Sequence, residues 1–539
     1  MSAPREEMLA ARIELLESAL ARRDSEVRDL VAIGVALASE RDTGLLLDRI
    51  LHHARRVTQA DAGSLYVVES PGRGEAPVHL RFKLSQNDSV AFRPGEFTVP
   101  ISTESIAGFV AAARKPLNLP DAYNPPAGAP YRLDRSFDER ARYRSRSMLI
   151  WPMVSHRDDL IGVIQLINRK SSPGPLRGPT DIEDRVVPFD QRSEHLLSAL
   201  SAQAAVALEN AMLYEDIARA FDGFVQASVH AIEQRDPTTS GHSIRVAALS
   251  VELARRVDEC REGPLAGVGF SDADLQELRY AALLHDFGKV GVREEVLLKA
   301  KKLPAGSLEL ILARFDYVRK AVEAETYRRR LALAEAGGSR EEAAGLDEEC
   351  RIRLARIDDA LRVIRAANEP IVLAKGTVSE VDEIAGTTFV GPDGGEQPLL
   401  TPFEVECLRI ARGSLTAAEI VEIQSHARHT FEFLSRIPWG RRFHRLPLIA
   451  ASHHERMDGS GYPAGLLGEH VPVQSRIMAV ADVYDALTAS GRPYKAAVPP
   501  PRALDILRLE AQDRHLDGDL VRLFIDTEAH RAVETLGRD

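Results

Sequence analysis

The chain is poor in cysteine and in aromatic residues, and each scarcity limits the kinds of protein it can be. Its 539 residues include three cysteines, Cys260, Cys350 and Cys407, which lie far apart and form no CxxC pattern. They supply neither a disulfide framework nor a sulfur-rich metal site, as is usual in a reducing compartment. Aromatic residues make up 6% of the chain and apolar residues 44%, the composition of an ordinary soluble protein.

Long apolar runs and concentrated basic charge are missing as well. No run of 18 apolar residues occurs, and the N-terminus lacks the apolar segment of a signal peptide. The formal net charge is −11, and lysine and arginine are interspersed with acidic residues. Because nucleic acids and anionic membranes attract concentrated positive charge, we expect neither as a partner. We therefore expect a cytoplasmic protein.

The length predicts several domains, since single hydrophobic cores stop growing near about 250–300 residues. Residues 1–37 predict an N-terminal helix with a coiled-coil seam. Two interpretations of it stay open: a two-stranded coiled coil, which would make the protein a homodimer, or an amphipathic helix packed on its own domain. The seam consists of Leu9, Ile13, Leu16, Leu20, Val27 and Leu30.

Residues 38–190 predict an α/β domain, an antiparallel sheet with flanking helices. A helical pattern at 45–58 precedes the strand patterns, and a loop rich in Pro, Gly and Ser follows them at 171–188. The next breaker-poor stretch, 191–236, predicts one helix of roughly 70 Å, which we expect to connect two domains. The predicted strands are 62–68, 78–84, 97–99, 147–154 and 160–167.

Residues 237–539 predict an all-α bundle with one unusual segment at 304–414. Within this segment we expect two helices, 306–336 and 340–368, separated by Gly337 and Gly338. A β-hairpin should follow within 371–398, around a Gly-Pro-Asp-Gly-Gly turn. Its strand residues would be Val378, Val381, Phe389 and Val390.

Two adjacent histidines, His453 and His454, precede a glycine-rich loop that ends at Tyr462 and Pro463. Adjacent histidines are costly to bury unpaired and commonly bind a metal. More histidines and aspartates occur in helical patterns across the same region, and side chains from separate helices can converge on a dinuclear centre in a bundle core. These are His242, His285, Asp286, His426 and Asp482. Within one helix, His285 and Asp286 would project about 100° apart and could grip a metal from two sides.

This region resembles the HD-GYP family of cyclic di-GMP phosphodiesterases. The motifs that carry the resemblance stand in family order at 235–243, 285–289, 415–426, 453–463, 476–477 and 482–495. It implies metal-dependent hydrolysis of cyclic di-GMP to pGpG, with GMP as a further product. Two alternatives stay open: a related substrate such as cyclic GMP-AMP, or an effector that binds a cyclic dinucleotide or docks a diguanylate cyclase with little turnover.

The resemblance also implies a metal site of two divalent ions, iron or manganese, held by the five histidines and two aspartates. Asp286 would bridge the ions. Lys289, one helical turn after His285, would donate to a phosphate oxygen in the transition state. The chain departs from the family at Thr238, where some relatives have a glutamate for a third metal, and at Ala427, where a proline is usual. We therefore expect two ions rather than three.

Substrate contacts are implied on both sides of the metal motifs. Arg492 and Lys495 resemble the family's phosphate and guanine contacts. The loop containing Asp458 and Gly461 would shape the mouth of the site, since glycine allows close backbone approach. Two further residues keep two roles each: Tyr462 stacks on a base or braces the loop, and Arg476 holds a phosphate or forms a structural ion pair.

Residues 30–210 resemble a GAF domain, a small α/β sensor module. The resemblance rests on residues 147–149, 151–153 and 161–168. Residues 168–170 and 189–190 are similar to the Asn-Lys…Phe-Asp signature of nucleotide-phosphodiesterase GAF domains, with Arg169 in the place of the lysine. The implied roles are binding of a small ligand, or dimerisation and relay without one. The GAF domain would then regulate the catalytic domain through the 191–236 helix.

The 304–414 segment departs from the family, which needs only a short connection there. Because it lies between the second and third ligand motifs, it should emerge near the site. Two interpretations stay open: a lid or partner-docking arm, or a surface elaboration without a role in turnover.

Overall fold

The computed structural model describes residues 30–69, 78–91, 95–236, 240–374, 376–489 and 497–535, together with five isolated positions before residue 30. The chain divides into two compact units, Met1–Phe221 and Asp222–Asp539. The first unit is α/β and the second is mostly helical, which confirms the predicted fold class. Most of the predicted N-terminal coiled coil lies outside the described residues, so it stays a prediction.

The first unit is built on one antiparallel sheet. Its strand order is β3-β2-β1-β6-β5-β4, and β7 pairs with β6. Each predicted strand is present with its ends shifted by a few residues. The strands are β1 Ala60–Glu69, β2 His79–Asn87, β3 Thr98–Pro100, β4 Leu117–Leu119, β5 Met148–Val154, β6 Leu160–Lys170 and β7 Val186–Val187. The helices are α1 Leu30–Ser39, α2 Thr43–Thr58, α3 Ile106–Ala113, α4 Ser136–Ala141, α5 Pro179–Arg185 and α6 Gln191–Arg235.

Alternating residues of the central strands enter two separate cores. Leu65 and Val67 on β1 face a core formed with helices α1, α2 and α6. Tyr66, between them, faces a second core formed with α3 and the loops on the opposite side of the sheet. This division follows from the two-residue period of a β-strand, which sends successive side chains to opposite faces. The sheet is therefore covered on both sides.

One sequence expectation for this unit needs correction. The segment 171–188 is not entirely a loop, because Pro179 opens α5, and β7 then pairs with β6. A proline in the first helical turn loses no hydrogen bond, so it can start a helix as well as break one.

The helix α6, Gln191–Arg235, contains a window of mean hydropathy 1.3 that is 44% buried. It is long and apolar enough to cross a membrane by composition alone, a weak indication that core helices also give.

The second unit is a helical bundle. Helices α7, α8, α14, α15 and α16 pack on one another and, with a 3-10 turn, carry the predicted metal ligands. The bounds are α7 His242–Asp258, α8 Asp272–Leu284, the 3-10 turn Phe287–Gly291, α9 Glu294–Leu297, α14 Ala417–Leu434, α15 Leu446–Ala451, α16 Val473–Thr488, α17 Pro500–Gln512 and α18 Gly518–Asp526. Two more 3-10 turns span Gly468–His470 and Ala529–Thr535.

The 304–414 segment has an apolar core of its own. The two predicted helices are present as α10 Ser307–Glu335 and α11 Arg340–Ala367. The hairpin is also present, as β8 Thr388–Val390 and β9 Glu396–Pro398. The expectation for Val378 and Val381 was wrong, because both lie on helix α12, Thr377–Ala385, where Val381 enters the core. Helix α13, Pro402–Leu408, completes this segment.

We predict that Phe315→Ala destabilises the region around this segment by about 3–5 kcal/mol, because a buried ring is lost and a cavity remains. Phe315 is 1% exposed in the core of α10 and α11. The matched control on the same helix is Tyr327→Ala, since Tyr327 is 68% exposed and should change stability by no more than about 0.5 kcal/mol. Urea denaturation of the full chain measures both. Equal shifts would show that the segment lacks an independent core.

Candidate metal centre

Five of the seven predicted ligands lie at or just beyond helix ends, and two lie in helix interiors. His242 is the first residue of α7, and His453 and His454 follow the end of α15. His426 and Asp482 lie within α14 and α16. The expectation that His285 and Asp286 share one helix was wrong: α8 ends at Leu284, and Asp286 precedes the 3-10 turn with φ −90° and ψ 5°. The change of direction after the helix, rather than a helical projection, aims the two side chains.

The fold brings all seven of these side chains together. They form three overlapping groups, and within each group the nitrogen or oxygen atoms lie within 4.8 Å of one another. The Asp286 carboxylate lies between two imidazoles, with one oxygen 3.5 Å from His285 Nε2 and the other 3.6 Å from His426 Nε2. The groups are His426, His453 and His454; His242, His285 and Asp482; and His285, Asp286 and His453.

Backbone carbonyls fix the orientation of three of these imidazoles. The Nδ1 atoms of His285, His426 and His453 donate to carbonyl oxygens three residues earlier, at 2.7, 2.6 and 2.6 Å. Because a carbonyl only accepts, Nδ1 carries the proton and Nε2 keeps its lone pair. Nε2 of His426 and of His453 is buried and has no hydrogen-bond partner among the described residues. Buried acceptors without partners are costly, so this donor set fits a metal ion.

His242 is held between two carboxylates. Its Nε2 lies 3.1 Å from Asp482 Oδ1, and its Nδ1 lies 2.8 Å from Asp485 Oδ2. Burial disfavours the charged imidazolium, but hydrogen bonds to both carboxylates outweigh it and raise the pKa of His242 to about 10. The Arg245 guanidinium donates to both oxygens of Asp485, at 2.6 and 2.9 Å. A metal ion that binds here would therefore compete with the proton shared by His242 and Asp482.

Burial and neighbouring charge set the protonation of the remaining groups in this centre. Burial favours a neutral Asp286, but the charges of Lys289 and the histidines lower the pKa of this carboxyl well below its usual range. Burial and the nearby His426 and His285 lower the pKa of His454 to about 4, against a smaller opposing effect of the carboxylates. Asp286 is therefore ionised and His454 neutral, the forms that bind metals, whereas His242 has to lose its proton before it can bind one.

Lys289 lies beside the ligands in the 3-10 turn, and because α8 ends at Leu284, the expectation that it lies one helical turn after His285 was wrong. Its Nζ atom is 2.9 Å from Asp286 Oδ2 and 3.1 Å from Asp236 Oδ2. Burial lowers the pKa of the ammonium, but both carboxylates raise it above its ordinary value. Gly288, next to it, packs on α14 where a Cβ would overlap the carbonyl oxygen of His426. Only glycine therefore lets the 3-10 turn approach this close.

The glycine-rich loop is fixed by a buried glutamate. The Glu455 carboxylate accepts from the backbone N–H groups of Ala464 and Leu466, at 2.7 and 2.8 Å. A Cβ on Gly461 would overlap the backbone of residues 454–456. The Tyr462 ring lies 4.7 Å from the His454 ring, centroid to centroid. The two roles considered for Tyr462, stacking on a base and bracing the loop, both stay predictions.

The other predicted substrate residues differ in what they contact. Asp458 is exposed and accepts from Ser460 N at 2.9 Å. Arg476 forms an ion pair with Asp517 at 2.7 Å, the structural role considered for it. Three other residues, Arg492, Lys495 and Thr238, lie outside the described residues, so what was expected of them stays a prediction. Three residues around the site were missed from the sequence, although each stands within or beside a motif: Asp485 holds His242, Arg245 pairs with Asp485, and Asp236 pairs with Lys289.

The first unit has an ion pair at the signature positions and, apart from it, a cavity. Arg169 Nη2 lies 2.7 Å from Asp190 Oδ2, so the arginine forms an ion pair at the position where the signature has lysine. Asp61 is fully buried and accepts from Lys170 Nζ at 3.0 Å and from the Tyr143 hydroxyl at 2.8 Å. A cavity of about 670 Å³ opens on the opposite side of the sheet from α6, lined by Tyr66, Phe82, Met148, Asp134 and Arg140 among others.

Comparison with known proteins gives two classes of domain. The GAF domain model matches residues 42–208, and two HD domain models match residues 239–382 and 399–520. These matches show that the chain contains a GAF domain followed by HD domains, the two classes of domain that the resemblances predict. The GAF domain of an Acinetobacter phosphoenolpyruvate-protein phosphotransferase aligns over 36% of this chain and 98% of its own, with 16% identity and a TM-score of 0.25, which adds no weight.

The curated relatives match short parts of the chain. The cyclic di-GMP phosphodiesterase response regulator RpfG of Xanthomonas campestris is 52% identical over 16% of this chain and 22% of its own length. The 3'3'-cGAMP-specific phosphodiesterase 3 of Vibrio cholerae is 41% identical over 18% of this chain and 20% of its own. A cyclic di-GMP phosphodiesterase of the same organism is 48% identical over 15% and 16%. The chain thus spans less than a quarter of the length of these relatives.

We predict that Asp485→Asn weakens metal binding by about 10–100-fold, the usual effect of losing a carboxylate that orients a ligand. The amide cannot balance Arg245 and holds the His242 imidazole less firmly. Asp505→Asn is the matched control, because Asp505 is half-exposed and pairs with Arg508 on the surface of α17. Calorimetric titration of metal-free protein with Mn²⁺ measures both affinities. An unchanged affinity in Asp485→Asn would contradict the role given to this carboxylate.

Proposed function

We propose that the chain is a metal-dependent phosphodiesterase that hydrolyses cyclic di-GMP to pGpG, with GMP as a further product. The observation that carries the proposal is the convergence of seven imidazole and carboxylate ligands beside the ammonium of Lys289. Relatives named cyclic di-GMP phosphodiesterases support the substrate. Regulation by the GAF domain, the homodimer and the cytoplasmic location belong to the same proposal.

The donor set fits two divalent ions, iron or manganese. Imidazole nitrogen and carboxylate oxygen are ligands for borderline metals and not for soft copper. His426, His453 and His454 would hold one ion, and His242, His285 and Asp482 the other, with one oxygen of Asp286 directed to each side. When bound, such ions acidify a water molecule and neutralise charge on phosphoryl oxygens.

The protein's own residues contribute position and charge. The Lys289 ammonium has three hydrogens, of which Asp286 and Asp236 take two, so one remains for a phosphate oxygen. Because the ammonium is largely shielded from water, that hydrogen bond strengthens as negative charge builds on the phosphate. The loop held by Glu455 keeps the Tyr462 ring against His454 at the edge of the cluster.

We predict that Asp286→Ala abolishes turnover of cyclic di-GMP and loses bound metal, whereas Lys289→Met keeps its metal and lowers kcat by about 10²–10³-fold. Lys301→Met is the matched control, because Lys301 is half-exposed and pairs with Glu369 on the surface. Anaerobic purification, metal analysis and product chromatography measure these effects. If Asp286→Ala turns over as fast as the unaltered protein, the proposed mechanism is wrong.

A related substrate, cyclic GMP-AMP, is the second candidate. It is favoured by relatives named 3'3'-cGAMP-specific phosphodiesterases, which match this chain about as well as those named for cyclic di-GMP. The ratio of kcat/KM values for the two substrates decides between them. A complete ligand set favours an enzyme over an effector that binds the dinucleotide or docks a diguanylate cyclase. Tight binding without turnover of either substrate would support the effector.

We further propose that a small ligand occupies the GAF cavity and controls the catalytic rate. The cavity of about 670 Å³ combines apolar walls with Asp134 and Arg140, as small-molecule sites do. We predict saturable binding of cyclic GMP or cyclic AMP, with a change in the turnover of cyclic di-GMP. Calorimetry on the full chain carrying Asp286→Asn avoids hydrolysis during titration. No binding of either nucleotide would remove the nucleotide-receptor proposal and favour a GAF domain that only dimerises or relays.

A further inference from the structure

Asp236, the first residue after helix α6, contacts the catalytic lysine. Its carboxylate oxygen Oδ2 lies 3.1 Å from Lys289 Nζ, and Asp236 is 6% exposed. The same ammonium lies 2.9 Å from Asp286 Oδ2. Lys289 is therefore shared between a predicted metal ligand and a second carboxylate at the end of α6.

The end of α6 is tied to the turn that carries Lys289 by a second contact. The Arg235 guanidinium donates from Nη2 to the carbonyl oxygen of Val292, just after the 3-10 turn, at 2.9 Å. Backbone N–H of Asp236 still bonds to Ile232 in the last helical turn, at 3.1 Å. Any shift of this helix end therefore moves the Asp236 carboxylate relative to Lys289.

The Lys289 ammonium needs a second carboxylate if it is not to turn fully towards Asp286. A buried ammonium with one carboxylate turns fully towards it, since charge-assisted hydrogen bonds strengthen when water is excluded. Asp286 alone would draw Lys289 onto an oxygen that a metal ion also needs. Asp236 pulls the ammonium in a second direction, which leaves Asp286 available and fixes where the third hydrogen points.

We propose that Asp236 is a positioning residue for Lys289, through which the end of α6 sets the catalytic rate. This inference rests on the proposed phosphodiesterase function for its kinetic part. Asp236 acts by taking a second hydrogen of the ammonium, so that Lys289 is shared between Asp236 and Asp286 and does not turn fully towards Asp286.

The kinetic test is a double-mutant cycle in the full chain. Asp236→Asn should lower kcat for cyclic di-GMP about tenfold and change KM less than twofold, because positioning acts in the transition state. In a Lys289→Met background the same change should lower kcat less than twofold, since no ammonium remains to be positioned. Asp236→Glu, which keeps the charge, should recover at least a third of the activity. Equal losses in both backgrounds would overturn the proposal.

A matched control separates positioning from a general effect on the helix end. Glu233→Gln removes one negative charge from the last turn of α6, where Glu233 accepts from Gly241 N at 2.9 Å. It does not contact Lys289 and should lower kcat less than twofold. A loss as large as that of Asp236→Asn would show that charge or stability at the helix end, and not the contact with Lys289, is responsible.

Metal retention gives a readout that does not need turnover. If Lys289 turns fully towards Asp286 in Asp236→Asn, Mn²⁺ affinity measured with a competing chelator should fall at least fivefold, but less than twofold in the Lys289→Met background. This result would stand even if neither cyclic dinucleotide is a substrate, in which case only the proposed function fails. Equal Mn²⁺ affinity with and without Asp236→Asn, both with Lys289 present, would overturn the positioning role itself.

Discussion

The ion pair between Asp286 and Lys289, buried among imidazoles, is the contact on which the organisation of the second unit depends. An unpaired charge in such surroundings is costly, so each ionised group needs a partner at hydrogen-bond distance. Asp286 has Lys289 on one side and faces His285 and His426 on the other. The helices that carry these groups are consequently held in one arrangement, and loss of any partner exposes a charge that the interior does not solvate.

A shell of carboxylates and carbonyls surrounds the ligands and decides which atom of each side chain faces inward. Carbonyl oxygens at the ends of α8 and α15 and within α14 take the Nδ1 protons, while Asp485 and Arg245 hold His242. This shell consists mainly of backbone groups. The residue at which each helix ends therefore matters more for the orientation of the ligands than the length of the helix. The glycines of the 3-10 turn and of the loop before Tyr462 serve the same purpose, because they let backbone approach backbone.

Much of the architecture followed from local patterns. Two-residue alternation gave the strands of the first unit within a few residues, and breaker-poor stretches gave α6, α10 and α11. Errors arose where local signals were ambiguous: Pro179 begins a helix inside a loop-like segment, and Val378 and Val381 lie on a helix although β-branched residues favour strands. Isolated short elements such as α5 and α12 are stabilised by packing rather than by propensity, so a sequence pattern identifies them poorly.

The sequence by itself determined the identity of the seven candidate ligands and of Lys289, because histidines and aspartates in a fixed order of motifs carry that information without any coordinates. Only the tertiary structure decided which atoms converge, that His285 and Asp286 separate at a helix end, and that Asp236 and Asp485 stand behind Lys289 and His242. Asp485 lies more than 240 positions from His242 along the chain, yet their side chains are 2.8 Å apart. Contacts at such separation are set by how helices pack, and packing depends on the whole chain rather than on any one segment.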